Sequence, residues 1–257
     1  MKVTFLGSGT STGVPTVGCT CEVCRSSDPR DKRLRPSVWV KFHDTSIILD
    51  TATDFRQQCL RAGIDSLDAV IYTHHHFDHI GGFDDLRAFN FKMQRPIPIY
   101  GMPETLDCLR VMFSYAFADP ANQESSRPHI IANEILDDPF SVDGHLITPL
   151  KLSHGRMRVN GYRIGNFAYC TDCNAISEEA AEQLRGIDTL VLDALRFTQH
   201  PTHFTLQQAI EVAEQLAPRR TYFTHISHEI AHEEVNSQLP ESMFLAYDGL
   251  ILDLDEG

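Results

Sequence analysis

The stretch that decides the fold is Thr73–Gly82, "THHHFDHIGG", which follows the apolar run Ala69–Tyr72 and places four histidines and an aspartate within six positions. A buried imidazole without a hydrogen-bond partner costs roughly 1–3 kcal/mol. Such crowding therefore requires a ligand that rewards it. His74, His76, Asp78 and His79 spell H-x-H-x-D-H where a strand gives way to a loop. There, alternate residues can direct two imidazoles at one ion while the next two ligands face a neighbouring ion, and imidazole with carboxylate suits zinc, manganese or iron. Further along, His154 follows "LITPLKLS", Asp172 follows "FAYC" and His225 follows "TYFT". Each candidate sits just past an apolar strand, where an α/β scaffold gathers its site residues. Asp50 ends the strand "SIILD"; it either orients a ligand imidazole or caps the turn that follows.

The composition supports a globular enzyme-sized chain. With 257 residues, 42% hydrophobic and 22% charged, it reads as one domain over residues 1–257. A net charge of -13 argues against duplex nucleic acid as a partner and leaves room for a small anionic substrate if metal ions supply the positive field. No apolar run approaches the ~20 residues of a membrane span. The N-terminus "MKVTFLGSGT" enters a strand without an apolar signal core, so the expected setting is cytoplasmic with no membrane partner.

Strand-like runs are expected at Val3–Leu6, Val38–Phe42, Ile47–Leu49, Ala69–Tyr72, Ile97–Tyr100, Leu146–Leu152, Phe167–Tyr169, Thr189–Leu192, Thr221–Phe223 and Phe244–Leu254. Helical patterns lie between them. Phe55–Ala62 ends in Gly63, Pro103–Phe117 begins with a proline, and the helix over Thr205–Leu216 opens on a capping box of Thr205 and Gln208. Interleaved strands and helices indicate an α/β protein, and the polar segment Ala118–Pro128 reads as a mobile loop.

Seven cysteines, three of them packed as "CTCEVC", suit metal binding in a reducing compartment better than a disulfide framework. Cys19, Cys21 and Cys24 lack one ligand for a tetrahedral zinc. His228, in "THISHE", is the candidate fourth, which would pin the N-terminal loop beside the main cluster. His228–His232, "HEIAH", also matches the H-E-x-x-H peptidase pattern, but no later histidine exists to complete that site. Cys170 and Cys173 flank Asp172 in "CTDC" and, like Cys59 and Cys108, read as core residues.

The H-x-H-x-D-H motif with a later His, Asp and His, together with "FLGSGTSTGVP" at one end and "YDGLILDL" at the other, resembles the metallo-β-lactamase-fold hydrolases over nearly the whole chain. The resemblance implies an αββα four-layer sandwich, one metal held by His74, His76 and His154, another by Asp78, His79 and His225, and Asp172 bridging both. "GVPTVGCTCEVC", "SHG", "YCTD" and "THISH" resemble the phosphodiesterase branch that includes ribonuclease Z and the PhnP-like enzymes. That branch implies two active-site divalent metals, manganese before zinc or iron, and one structural zinc on the cysteines and His228. It implies attack of a metal-bridging hydroxide on a small phosphodiester, cyclic ribosyl phosphates among them, with Asp172 and Asp78 holding the centre and His203 assisting the leaving alkoxide.

Arg156 and Arg158 are candidates to meet a second substrate phosphate, and His200 reads as a surface residue. Transfer-RNA processing is disfavoured by the acidic charge and the lack of a basic arm. The alternatives are a hydrolase of another ester class, or a non-hydrolytic binder or cofactor-assembly protein like PqqB; all seven ligand positions are filled, which favours the enzyme. A two-fold homodimer is the default assembly.

Overall fold

The computed structural model describes residues 1–118 and 126–255. Most of the expected loop Ala118–Pro128 therefore lies outside the described residues. The strands, in chain order, are β1 (Lys2–Gly7), β2 (Ser37–Lys41), β3 (Ser46–Leu49), β4 (Ala69–Ile71), β5 (Ile97–Gly101), β6 (Ile130–Glu134), β7 (Phe140–Val142), β8 (His145–His154), β9 (Met157–Ile164), β10 (Phe167–Cys170), β11 (Ala175–Ile176), β12 (Thr189–Asp193), β13 (Arg220–Thr224), β14 (Met243–Leu245) and β15 (Ile251–Asp253). One sheet has the order β15-β1-β2-β3-β4-β5-β6; the other has β11-β8-β9-β10-β12-β13-β14, with β7 paired to β8.

Strands β3, β4, β10 and β12 are buried along their whole length because both faces of each sheet are covered there. In β4, Ala69 and Ile71 enter the core between the sheets, whereas Val70 packs outward with Leu86, Leu106 and Leu109 from the covering helices. In β10, Phe167 and Tyr169 point inward, and Ala168 and Cys170 pack outward with Leu206, Ala209 and Ala213 of the helix Leu206–Leu216. Three apolar layers between four layers of secondary structure make the αββα sandwich that the sequence led us to expect.

Most expected elements are present. The helix Phe55–Ala62 ends on Gly63 in the left-handed conformation, and Thr205 and Gln208 form a complete capping box. Three expectations change. Phe244–Leu254 is not one strand, because β14 joins the second sheet and β15 the first. Between them Gly249 takes φ +91, and the buried Asp248 carboxylate accepts from the Ser8 and Leu34 amides, both at 2.9 Å. The helix from Pro103 stops at Met112, and a separate short helix covers Ser114–Phe117. Cys59 is buried as expected, whereas Cys108 is half-buried and packs at the margin of its core.

Candidate metal centre

The histidine loop starts where the two sheets meet. The Tyr72 amide donates to the Tyr100 carbonyl on β5, whereas the Tyr72 and Thr73 carbonyls accept from the Tyr162 hydroxyl and the Asn160 amide of β9. The loop then turns into the short helix Phe77–Ile80. Gly82 permits that turn, since a Cβ there would lie 2.3 Å from the Ala52 carbonyl oxygen.

Ligand atoms converge in two groups that share a residue: His74, His76, His154 and Asp172, and Asp78, His79, His225 and Asp172, each with atoms within 4.8 Å of one another. Asp172 lies between them. Its Oδ1 is 3.2 Å from both His79 Nε2 and His225 Nε2, and its Oδ2 is 3.8 Å from His74 Nε2. All these ligand residues are buried except His76, which is exposed.

Second partners fix which imidazole nitrogen faces inward. His79 Nδ1 sits 2.7 Å from Asp50 Oδ2, and His154 Nδ1 donates to the Thr202 carbonyl at 2.9 Å. Each ring is thereby left with Nε2 as its free atom. The Asp50 carboxylate also accepts from the Thr73 amide and hydroxyl, both at 2.8 Å. It both orients a histidine and anchors the turn, so neither expected role excludes the other.

Burial pushes the His74 imidazole well below its ordinary value, helped by neighbouring His79, and pushes His154 down to about 4. Neutral imidazoles are the form that binds metal. On His79 and His225 burial acts the same way, but Asp172 and Asp78 outweigh it and raise both. Burial raises the Asp172 carboxyl, but the His225 and His79 imidazoles outweigh it and hold the group well below its usual range. His74 Nε2, Asp78 Oδ2, His79 Nε2 and His225 Nε2 are all buried without a hydrogen-bond partner. Four such orphans in the two groups that share Asp172 call for cations to satisfy them. The donor set fits divalent metal ions.

Sequence reasoning missed Asp193. At the end of β12 it is fully buried; its Oδ1 lies 3.2 Å from His203 Nδ1, and its Oδ2 accepts from the Phe204 amide at 3.0 Å. The available signal was "TLVLD", an apolar strand ending in aspartate like "SIILD" before Asp50. His203 stacks on His225 with centroids 4.7 Å apart. His200 is half-buried with its ring 5.0 Å from that of His203, so it belongs to the rim of the site and not to open surface. Arg158 is tied to Asp137 and Asn160, whereas Arg156 is exposed in the β8–β9 turn.

Beside this centre, Cys19, Cys21, Cys24 and His228 bring their ligand atoms within 4.8 Å of one another. His228 Nδ1 is 3.3 Å from the Cys21 sulfur and 3.5 Å from that of Cys19. The His228 contact, with the Cys24 amide, lowers the Cys21 thiol to about 6, close to the thiolate that metal binding needs. Residues 228–231 are not helical. The "HEIAH" run thus cannot form a zinc-peptidase site, which needs both histidines on one helix face.

Residues 45–226 match the Beta-lactamase superfamily domain. A crystal structure described as a new diphosphatase from the PhnP family superposes with a TM-score of 0.92 at 44% identity, covering 98% of this chain and 96% of that one. The chain belongs to the PhnP family. Zinc-bound PqqB from Methylobacterium extorquens (20% identity, TM-score 0.77, covering 99% of this chain and 100% of that one) and human short-form tRNase Z (18%, 0.69, covering 99% and 100%) share its fold. An octanoyltransferase of Porphyromonas gingivalis is 42% identical over 100% of this chain and 52% of its own length. This PhnP-family chain therefore spans about half of that relative. The superfamily match and the donor set fit a metal-binding protein, and no described helix is long and apolar enough to cross a membrane.

Proposed function

We propose that the protein is a dinuclear phosphodiesterase that cleaves a small phosphodiester. The observation that carries this reading is the set of buried, unpartnered donor atoms on His74, Asp78, His79 and His225 gathered around Asp172. These residues would hold two divalent ions, manganese before zinc or iron, which would supply Lewis acidity to phosphoryl oxygens and lower the pKa of water toward neutral. Asp172 and Asp78 balance that charge. Asp193 holds Nδ1 of His203, leaving Nε2 to hand a proton to the departing alkoxide, a contribution typically ~10²–10⁴-fold. We assign one structural zinc to Cys19, Cys21, Cys24 and His228, where it joins the N-terminal loop to the segment that carries His225.

The substrate class is a small diester because the chain is acidic overall, with a net charge of -13, which disfavours a long nucleic acid. Kinship with a diphosphatase supports hydrolysis at phosphorus. The test is turnover of bis(4-nitrophenyl) phosphate by manganese-reconstituted protein, with 4-nitrophenyl phosphate, 4-nitrophenyl octanoate and the His76→Ala variant as controls. Diester hydrolysis lost in the variant is the expected result. Hydrolysis of the octanoate alone would place the chain with another ester class, and no turnover with manganese, zinc or iron would make it a binder.

A further inference from the structure

A cleft of about 190 Å³ opens beside the histidine loop, with apolar walls from Met102, Leu136 and Met157 and polar edges from His75, Glu104 and Arg158. It adjoins the metal centre through two covalent neighbours and one pairing. His75 lies between His74 and His76, with its ring 6.1 Å from that of His76, and Met157 is the register partner of His154 across the β8–β9 hairpin. Met102 and Leu136 follow the ends of the parallel strands β5 and β6. Open α/β sheets bind ligands at that edge.

The size and chemistry of the cleft select one kind of occupant. An apolar cavity of about 150 Å³ accepts benzene, so this cleft matches a single planar ring and is too small for a whole nucleoside. Two thioethers favour an aromatic face. Glu104 is exposed at the rim as an acceptor, and Arg158 lines the same polar edge as a donor, so both kinds of group are available to a ring edge. We infer that this cleft binds a heteroaromatic ring, a nucleobase, attached to the phosphate that the metal centre holds. The inference rests on the phosphodiesterase reading for the role of that phosphate. It narrows the substrate to a nucleotide-bearing ester.

The test is calorimetric binding of cytidine 5′-monophosphate and ribose 5-phosphate to the manganese-loaded protein. The two share phosphate and sugar and differ by the base. The expected result is about tenfold tighter binding of the nucleotide. Leu136 is 63% exposed, so Leu136→Glu leaves the core intact while placing a carboxylate on the apolar wall. Because both ligands carry the same phosphate, its added charge cancels in their ratio, which should fall to near one. Equal affinities on the wild type, or a preference kept by the variant, would overturn the inference. A base preference without diester turnover would instead remove the phosphodiesterase reading and leave the cleft assigned.

Discussion

Replacing Asp50 with asparagine tests how the chain presents His79. In the wild type, the two carboxylate oxygens of Asp50 accept three contacts: the Thr73 amide, the Thr73 hydroxyl and His79 Nδ1, at 2.8, 2.8 and 2.7 Å. Asparagine keeps the shape but offers one acceptor and one donor group. If the Thr73 amide keeps the oxygen, the new NH₂ faces His79 Nδ1 and forces it to accept, which moves the ring proton to Nε2. That atom is 3.2 Å from Asp172 and is the one that must carry a lone pair for a metal. Loss of a partner of this kind typically costs 10–100-fold in metal affinity or activity, and a stranded buried donor adds about 1–3 kcal/mol of instability. Metal content per chain by plasma emission, with a competing chelator, should show one active-site ion lost at chelator concentrations that the wild type survives. The cysteine cluster should keep its own ion. A folded variant that holds every ion with unchanged affinity would refute the assignment of Asp50 as the residue that sets the His79 tautomer.

Cys24→Ser should release the ion of the cysteine cluster, read as one zinc fewer per chain, and lower the unfolding midpoint by about 2–4 °C for each kcal/mol lost. His232 is buried, and burial with Arg30 and Arg33 pushes its imidazole down to about 4 from an ordinary 6.5. Its folded value is the lower one, so it contributes stability that is full above pH 6.5 and is lost as pH falls toward 4; the linkage is worth up to about 3 kcal/mol. In denaturant titrations at pH 7 and pH 4.5, His232→Asn should lose less stability than the wild type between the two, and equal losses would remove His232 as the cause.

The sandwich was legible because its pattern is local. "AVIY", "SIIL" and "FAYC" are apolar on both faces, and the structure gives each face its own core. The candidate metal ligands were legible because His74, His154, Asp172 and His225 lie at or just past strand ends, and His76, Asp78 and His79 complete a motif that begins at one of them. What escaped depends on tertiary contact. Met157–Ile164, "MRVNGYRI", mixes polar residues with a glycine and reads poorly as a strand, yet Gly161 is required, since a Cβ there would lie 2.9 Å from both Leu152 and the Tyr169 carbonyl. Tyr247–Leu250 interrupts an apolar run for a reason visible only in space: Asp248 is committed to amides some 200 residues away in sequence. Asp193 escaped because its partner His203 is joined to it by a loop without a motif.

Three site residues show how the fold holds the centre under strain. Asp50, Asp172 and His225 take φ of +64, +51 and +61, in the left-handed region that side chains other than glycine rarely adopt. Such conformations cost of order 1–3 kcal/mol each and persist only where surrounding contacts over-determine them. Asp50 is fixed by Thr73 and His79. Asp172 accepts from the Thr171 hydroxyl and lies just past the end of β10, with Thr171 between. For His225 the constraint comes from the next residue. The Ile226 amide donates to the Ser8 carbonyl, the Ile226 carbonyl accepts from the Thr10 amide, and the buried Arg33 guanidinium binds the Ser227 and Ile230 carbonyls. The N-terminal loop thus clamps the chain on the far side of His225, and the cysteine cluster fastens that same loop to His228. Each left-handed residue stands just past a strand end, where Asp172 and His225 join the ligand group and Asp50 holds His79. The strain is therefore the means by which strands from two sheets present their last residues to one point.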